Sequence, residues 1–126
     1  MKEIFATTNA PAALGPYSQG IGVSGLVFVS GQTPIDSATG ALVPGGIAEQ
    51  THKALQNVRA ILAEAGLTME NVVKTTVFLH DMNDFAAMNE VYGSYFTAGQ
   101  YPCRSAFQVV RLPKDCMVEI EAIAAV

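Results

Sequence analysis

Near its end the chain reads Pro102-Cys103-Arg104-Ser105-Ala106-Phe107-Gln108-Val109-Val110-Arg111-Leu112-Pro113-Lys114-Asp115-Cys116-Met117-Val118-Glu119-Ile120-Glu121-Ala122-Ile123-Ala124, which predicts two β-strands joined by a loop. Successive side chains of a strand point to opposite faces. In the second strand, one face therefore carries Val118, Ile120, Ala122 and Ala124. The other face carries Met117, Glu119, Glu121 and Ile123, so two carboxylates stand on a face that is otherwise apolar.

Arg104 stands at the start of the first of these strands, directly after a proline and a cysteine. We expect the two strands to be neighbours, which places this cation beside the two glutamates. Arginine binds carboxylates bidentately, and a glutamate on a mostly apolar face has its pKa raised toward the range of a general acid or base. The pattern predicts a site that holds a small organic acid and activates a water molecule. The alternatives are an ordinary strand-end arginine and solubilising glutamates at a sheet edge.

Apolar periodicity and turn residues divide the rest of the chain into further strands and two helices. Strands are predicted at residues 4–7, 18–23, 26–30 and 72–79, with Ser24-Gly25 as a hairpin turn between the second and third. The predicted order along the whole chain is β-β-β-α-β-α-β-β. This order indicates an α+β domain in which the two helices cover one face of a mixed sheet.

The two helices are predicted from their apolar spacing and their end signals. The first runs from Ile47 to Ala65, with Gly66 in the C-cap place. The second follows Asp84, a favourable N-cap residue, and ends before Gly99. Both are amphipathic, and together they cover one face of the sheet.

The last strand has apolar residues on both faces, and the chain has no further element to cover the second face. Self-association is therefore predicted.

The size and composition of the chain restrict its class. Its 126 residues, half of them apolar, predict a single domain over residues 1–126. The formal net charge of −4 disfavours nucleic acid as a main partner, because such binding depends on Lys and Arg at phosphates. The cysteine and histidine spacing indicates neither a metal site nor a disulfide framework. No segment is apolar enough for a signal peptide or a membrane span, so a cytoplasmic protein is predicted.

Seven short motifs follow one another over almost the whole chain. They are Asn9-Ala10-Pro11, Gly15-Pro16-Tyr17-Ser18-Gln19, Ser30-Gly31-Gln32-Thr33-Pro34, residues 73–79 with 81–85, residues 102–105, residues 111–115 and residues 118–124. In order and spacing they resemble the motifs of the Rid family, also called YjgF, of reactive intermediate (enamine/imine) deaminases. The resemblance implies a chorismate-mutase-like α+β domain that forms a homotrimer with its sites between subunits.

The resemblance also implies roles for individual residues. Arg104 binds the substrate carboxylate and Glu119 activates water, with Glu121 supplying a supporting ion pair or hydrogen bond. Arg111 is the second choice for the carboxylate and is better interpreted as a loop residue. Substrate-binding positions are Tyr17, Ser30, Gly31, Asn89 and Ala106. Many relatives have cysteine at the position of Ala106, and the implied substrate contacts there are made by the backbone.

The activity implied by the resemblance is hydrolysis of 2-iminobutanoate or 2-iminopropanoate to 2-oxo acids and ammonia. These reactive imines come from pyridoxal-phosphate dehydratases, and no cofactor or metal is implied for their removal. An alternative is a non-catalytic trimer that binds 2-oxo acids or other small carboxylates as a metabolite sensor. Glu119 favours the enzyme, since carboxylate binding needs Arg104 but not an acid beside it. The ribonuclease activity attributed to some relatives fits the acidic charge badly.

Overall fold

Six strands form one mixed sheet in the computed structural model, which describes residues 1–126. The elements along the chain are β1 (Glu3–Phe5), β2 (Gly20–Val23), β3 (Leu26–Gln32), α1 (Ile47–Glu64), β4 (Val72–Leu79), α2 (Phe85–Gly93), β5 (Cys103–Gln108) and β6 (Val118–Ala125). Their order in the sheet is β1-β2-β3-β6-β4-β5, and only β4 and β5 are parallel. The predicted order of elements is confirmed.

The turn between β2 and β3 has the predicted form. Ser24 and Gly25 both have positive φ, at 50° and 77°, which matches the right-handed twist of a two-residue hairpin. β1 ends at Phe5, two residues earlier than predicted. The reason is that the backbone N–H and C=O of Thr7 bind the side-chain amide of Gln19 instead of a neighbouring strand.

The first helix, α1, has the predicted start and ends one residue early. The Glu49 carboxylate accepts a hydrogen bond from the Gly46 N–H at 2.8 Å, which satisfies a free donor at the helix start. At the other end Gly66 has a φ of 77°, and the Leu67 N–H donates to the Leu62 carbonyl at 2.9 Å. This is the Schellman arrangement, in which a left-handed glycine ends the helix.

The second helix, α2, is shorter than predicted, because it ends at Gly93 rather than just before Gly99. The Ser94 hydroxyl donates to the Val91 carbonyl at 2.6 Å, and the following N–H groups bond three residues back, which tightens the chain into turns. Asp84 occupies the predicted N-cap position, but its side chain makes no capping hydrogen bond.

The core lies between one face of the sheet and the two helices. From β6 it contains the predicted apolar set Val118, Ile120, Ala122 and Ala124, and from α1 it contains Leu55, Val58, Ile61 and Leu62, all buried. Burial of each larger side chain contributes roughly 1.5–3 kcal/mol. The opposite face, which we call the open face, has no helix over it. There Phe28 and Phe107 remain 40% and 45% exposed.

The predicted adjacency of the last two strands is wrong. β4 lies between them, and its Thr75 pairs with Arg104 of β5 on one side and with Ala122 of β6 on the other. β5 is parallel to β4 because α2 connects them as a crossover, whereas β6 enters the sheet antiparallel between β3 and β4. β6 is therefore an interior strand, and Glu119 and Glu121 are not edge residues.

No helix of the chain has the length and apolar character needed to cross a bilayer.

Candidate active site

The predicted site residues lie around two separate clefts. Tyr17, Ser30, Gly31 and Glu119 line one cleft of about 450 Å³, which we call the Glu119 cleft. Arg104 and Asn89 line another of about 410 Å³, which we call the Arg104 cleft. Ala106 follows two residues after Arg104 on β5 and packs against the core. The structure thus brings four of the seven predicted residues together in one place and two in the other.

Glu119 has the environment of a general acid or base. It is half-buried on the open face, where it pairs in register with Phe78 of β4. Burial raises the pKa of the Glu119 carboxyl above its ordinary value of 4.5, and the charge of Glu121 raises it further. Glu121 itself is exposed and forms no ion pair, since the chain's one salt bridge joins Arg111 to Asp115. Within the chain Glu121 therefore makes neither the predicted ion pair nor the alternative hydrogen bond, and Glu121 acts on Glu119 through its charge.

Gly31 leaves the space that the Glu119 carboxylate occupies. A methyl group at position 31 would overlap Glu119 Oε2 and would lie 2.9 Å from its Cδ. The φ of Gly31 is not in the left-handed region, so the conformation does not by itself require glycine. Close approach of the carboxylate is the physical reason for glycine here.

The loop that carries Tyr17 is held to the start of the sheet by two side chains. The Ser30 hydroxyl donates to the Ser18 carbonyl at 2.6 Å. The buried Gln19 amide accepts from the Thr7 N–H at 2.7 Å and donates to the Pro11 carbonyl at 2.7 Å. Tyr17 is 51% exposed at the mouth of the Glu119 cleft. The spacing of residues along the chain gives no signal that the Gln19 side chain hydrogen-bonds to a loop eight to twelve residues before it.

The loop before β6 forms another wall of the Glu119 cleft. Lys114, a residue that sequence reasoning did not select, lines the cleft with the unusual φ of 56°, and Asp115 follows at 55°. The Arg111 guanidinium binds the Asp115 carboxylate at 2.8 Å and closes this turn. Arg111 is thus a loop residue, as predicted.

Arg104 faces the helices and is held by α2. Its Nη1 donates to Asn89 Oδ1 at 2.7 Å. Its Cζ lies 4.8 Å from the ring centre of Tyr92 and 5.4 Å from that of Phe85. These contacts fix the plane of the guanidinium, which retains further N–H donors for a carboxylate.

Arg104 and Glu119 lie on opposite faces of the sheet within one chain. Arg104 contacts α2 on the helix side, whereas Glu119 belongs to the open face. One copy of the chain therefore presents an arginine held by α2 on the helix side and a half-buried carboxylate on the open face.

The chain matches known proteins over nearly its full length. Residues 7–126 match the family model described as Endoribonuclease L-PSP. The 2-iminobutanoate/2-iminopropanoate deaminase of Mus musculus is 51% identical over 124 residues, covering 98% of this chain and 91% of the mouse protein. The crystal structure of Escherichia coli TdcF with bound serine superposes with a TM-score of 0.93 at 48% identity, covering 98% of each chain. The Rid family protein YyfA of Yersinia pestis superposes with a TM-score of 0.96 at 44% identity, covering 100% of each chain.

These matches show both the fold and the family. The α+β sheet with two helices is the YjgF-type fold that the sequence predicted. The chain belongs to the Rid (YjgF) family.

Proposed function

We propose that this protein is a deaminase that hydrolyses 2-iminobutanoate and 2-iminopropanoate to the 2-oxo acids and ammonia. The observation that carries the proposal is the half-buried Glu119, whose pKa is raised in an open cleft, in a chain that also presents the prearranged cation Arg104. The substrate class is supported by the name of the mouse relative. The imines would come from pyridoxal-phosphate dehydratases that act on serine or threonine, so the role is removal of a reactive by-product.

The proposed active form is a homotrimer in which each site joins two subunits. Support comes from the open face, where Phe28 and Phe107 are exposed on a sheet with no helix over it. Support comes also from the placement of Arg104 and Glu119 on opposite faces, because a neighbouring subunit must bring the two groups together. The number of subunits follows from the family resemblance.

In the proposed mechanism Arg104 binds the carboxylate of the imino acid and fixes the C=N carbon beside a water molecule. Glu119 accepts a proton from this water as its oxygen attacks the carbon, and the C=N electron pair moves to nitrogen. Protonated Glu119 then donates to the nitrogen. Glu119 then takes the hydroxyl proton of this adduct and passes it to the nitrogen, so that the C=O bond forms as the C–N bond breaks, ammonia leaves and the 2-oxo acid remains.

The remaining site residues shape the pocket in this proposal. Tyr17, Ser30 and Gly31 form the wall around Glu119, Asn89 orients Arg104, and the backbone at Ala106 contacts the substrate. Ser30 already donates its hydroxyl proton to the Ser18 carbonyl, so toward a substrate its oxygen acts as an acceptor.

The test couples the protein to threonine dehydratase and follows 2-oxobutanoate release in the presence of a trap for the imine. Arg104→Ala is expected to abolish both hydrolysis and calorimetric binding of 2-oxobutanoate. Glu119→Gln is expected to lower hydrolysis by roughly 10²–10⁴-fold and to keep the binding. The matched control is Arg59→Ala, which removes an arginine that lies over Tyr95 on the outer helix surface. A protein that binds the acid without accelerating hydrolysis would be the metabolite sensor instead.

A further inference from the structure

One face of α2 forms a cradle for the Arg104 guanidinium. Phe85, Asn89 and Tyr92 are spaced by four and three residues, which places them in a row along one side of a helix. All three contact Arg104, two through aromatic rings and one through a hydrogen bond. The ring of Tyr92 is the nearer of the two, at 4.8 Å from Cζ.

Tyr92 is itself fixed from the sheet side. Its hydroxyl forms a 2.6 Å hydrogen bond with the Thr75 hydroxyl, and Tyr92 and Thr75 are 5% and 2% exposed. Thr75 is the residue of β4 that pairs in register with Arg104 of β5. The buried hydroxyl pair therefore ties α2 to the sheet at the same level as the cation. A ring held in this way offers Arg104 a support with little freedom to move.

We propose that Tyr92 is a positioning residue that sets the affinity for the substrate carboxylate by holding the Arg104 guanidinium in its binding orientation. This inference rests on the proposed role of Arg104 in carboxylate binding. An arginine side chain without this support samples many rotamers, and binding must then order it. Tyr92 holds the guanidinium in place before the substrate arrives, so binding no longer has to lose this rotamer freedom. The hydrogen bond to Thr75 in turn fixes the ring of Tyr92.

The main test replaces Tyr92 by leucine, which keeps an apolar core residue and removes both the ring and its hydroxyl. The dissociation constant for 2-oxobutanoate is expected to rise roughly 3- to 30-fold, the range of a partly desolvated cation–π contact. In the imine assay KM is expected to rise more than kcat falls. Tyr92→Phe retains the ring and is expected to recover most of the affinity. Tyr95→Leu is the matched control, because it removes a ring 5.3 Å from Arg59, away from both clefts.

A second readout reports on Arg104 without any ligand. Aromatic rings shift the NMR signal of a nearby guanidinium N–H, so the Arg104 Nε–H signal, assigned with Arg104→Lys, is expected to move in Tyr92→Leu. If Tyr92→Leu does not fold, Phe85→Leu at the less buried ring tests the same cradle and is expected to give a smaller shift and a smaller loss of affinity.

The outcomes separate this inference from the proposed function. Folded Tyr92→Leu with unchanged affinity and an unmoved Arg104 signal would overturn the positioning role, as would an equal loss of affinity in Tyr95→Leu. A wild-type protein that neither binds 2-oxobutanoate nor hydrolyses the imine would overturn the proposed function instead. In that case the Arg104 signal in Tyr92→Leu still reports whether the ring of Tyr92 lies over the guanidinium.

Discussion

Gly31→Ala adds one methyl group at the point where β3 meets the Glu119 carboxylate. The alanine Cβ would lie 2.9 Å from Glu119 Cδ, about half an ångström inside the shortest ordinary contact of 3.4 Å, and it would overlap Oε2. The backbone of residue 31 accepts alanine without strain, since its φ is not positive. The carboxylate must therefore swing away by half an ångström or more. Misplacement of a catalytic group by about 1 Å lowers rates by roughly 10²-fold, and that is the expected loss in kcat.

The imine assay and 2-oxobutanoate titration together measure this effect. Gly31→Ala is expected to retain the wild-type fold by circular dichroism, since the added methyl faces a half-buried side chain and not the core. Gly46→Ala is the matched control, because a methyl there comes no closer than 3.9 Å to any other atom. Its kcat is expected to equal that of the wild type.

The double variant shows whether the methyl group acts through Glu119. In a Glu119→Gln background the carboxylate function is already lost, so Gly31→Ala is expected to lower kcat little further. Wild-type kcat in Gly31→Ala would refute the role assigned to the carboxylate position. Full additivity with Glu119→Gln would show that Gly31 contributes by a different route.

Three further predictions follow from burial and charge. Burial raises the pKa of Glu119 above its ordinary value of 4.5 in the folded state. Between 4.5 and the raised pKa the folded state binds more protons than the unfolded state, so stability falls as the pH rises through this range. Glu119→Gln is expected to have a higher melting temperature than the wild type at about pH 8 and the same melting temperature near pH 4. The reverse order would contradict the raised pKa of Glu119. Burial raises the pKa of the Cys116 thiol to about 11, so Cys103→Ser should leave no thiol that reacts rapidly with a disulfide reagent in the native state. Ile123→Glu places a charge on the open face, and light scattering is expected to show monomers without imine hydrolysis; an active trimer would exclude the proposed interface.

The secondary-structure elements and the family could be predicted from local sequence signals. The alternation in residues 118–124, the apolar spacing of α1 and the Ser24-Gly25 turn each depend on neighbours within a few positions. Backbone geometry converts such signals directly into strands, helices and turns. The length of α2 departed furthest from the prediction, because the Ser94 hydroxyl binds a helix carbonyl where the apolar spacing continues to Phe96.

Only the tertiary structure decided how the strands are ordered and where the site residues face. Nothing local in β5 or β6 shows that β4 lies between them, because strand order depends on the α2 crossover and on the long-range pairing of Thr75 with both strands. That order places Arg104 beside Tyr92 and sends Glu119 to the opposite face. The Glu119 cleft, the Arg104 cleft, the hydrogen bonds of Gln19 and the Tyr92–Thr75 bond all join residues distant in sequence. Such contacts depend on packing in three dimensions, which the spacing of residues along the chain does not contain.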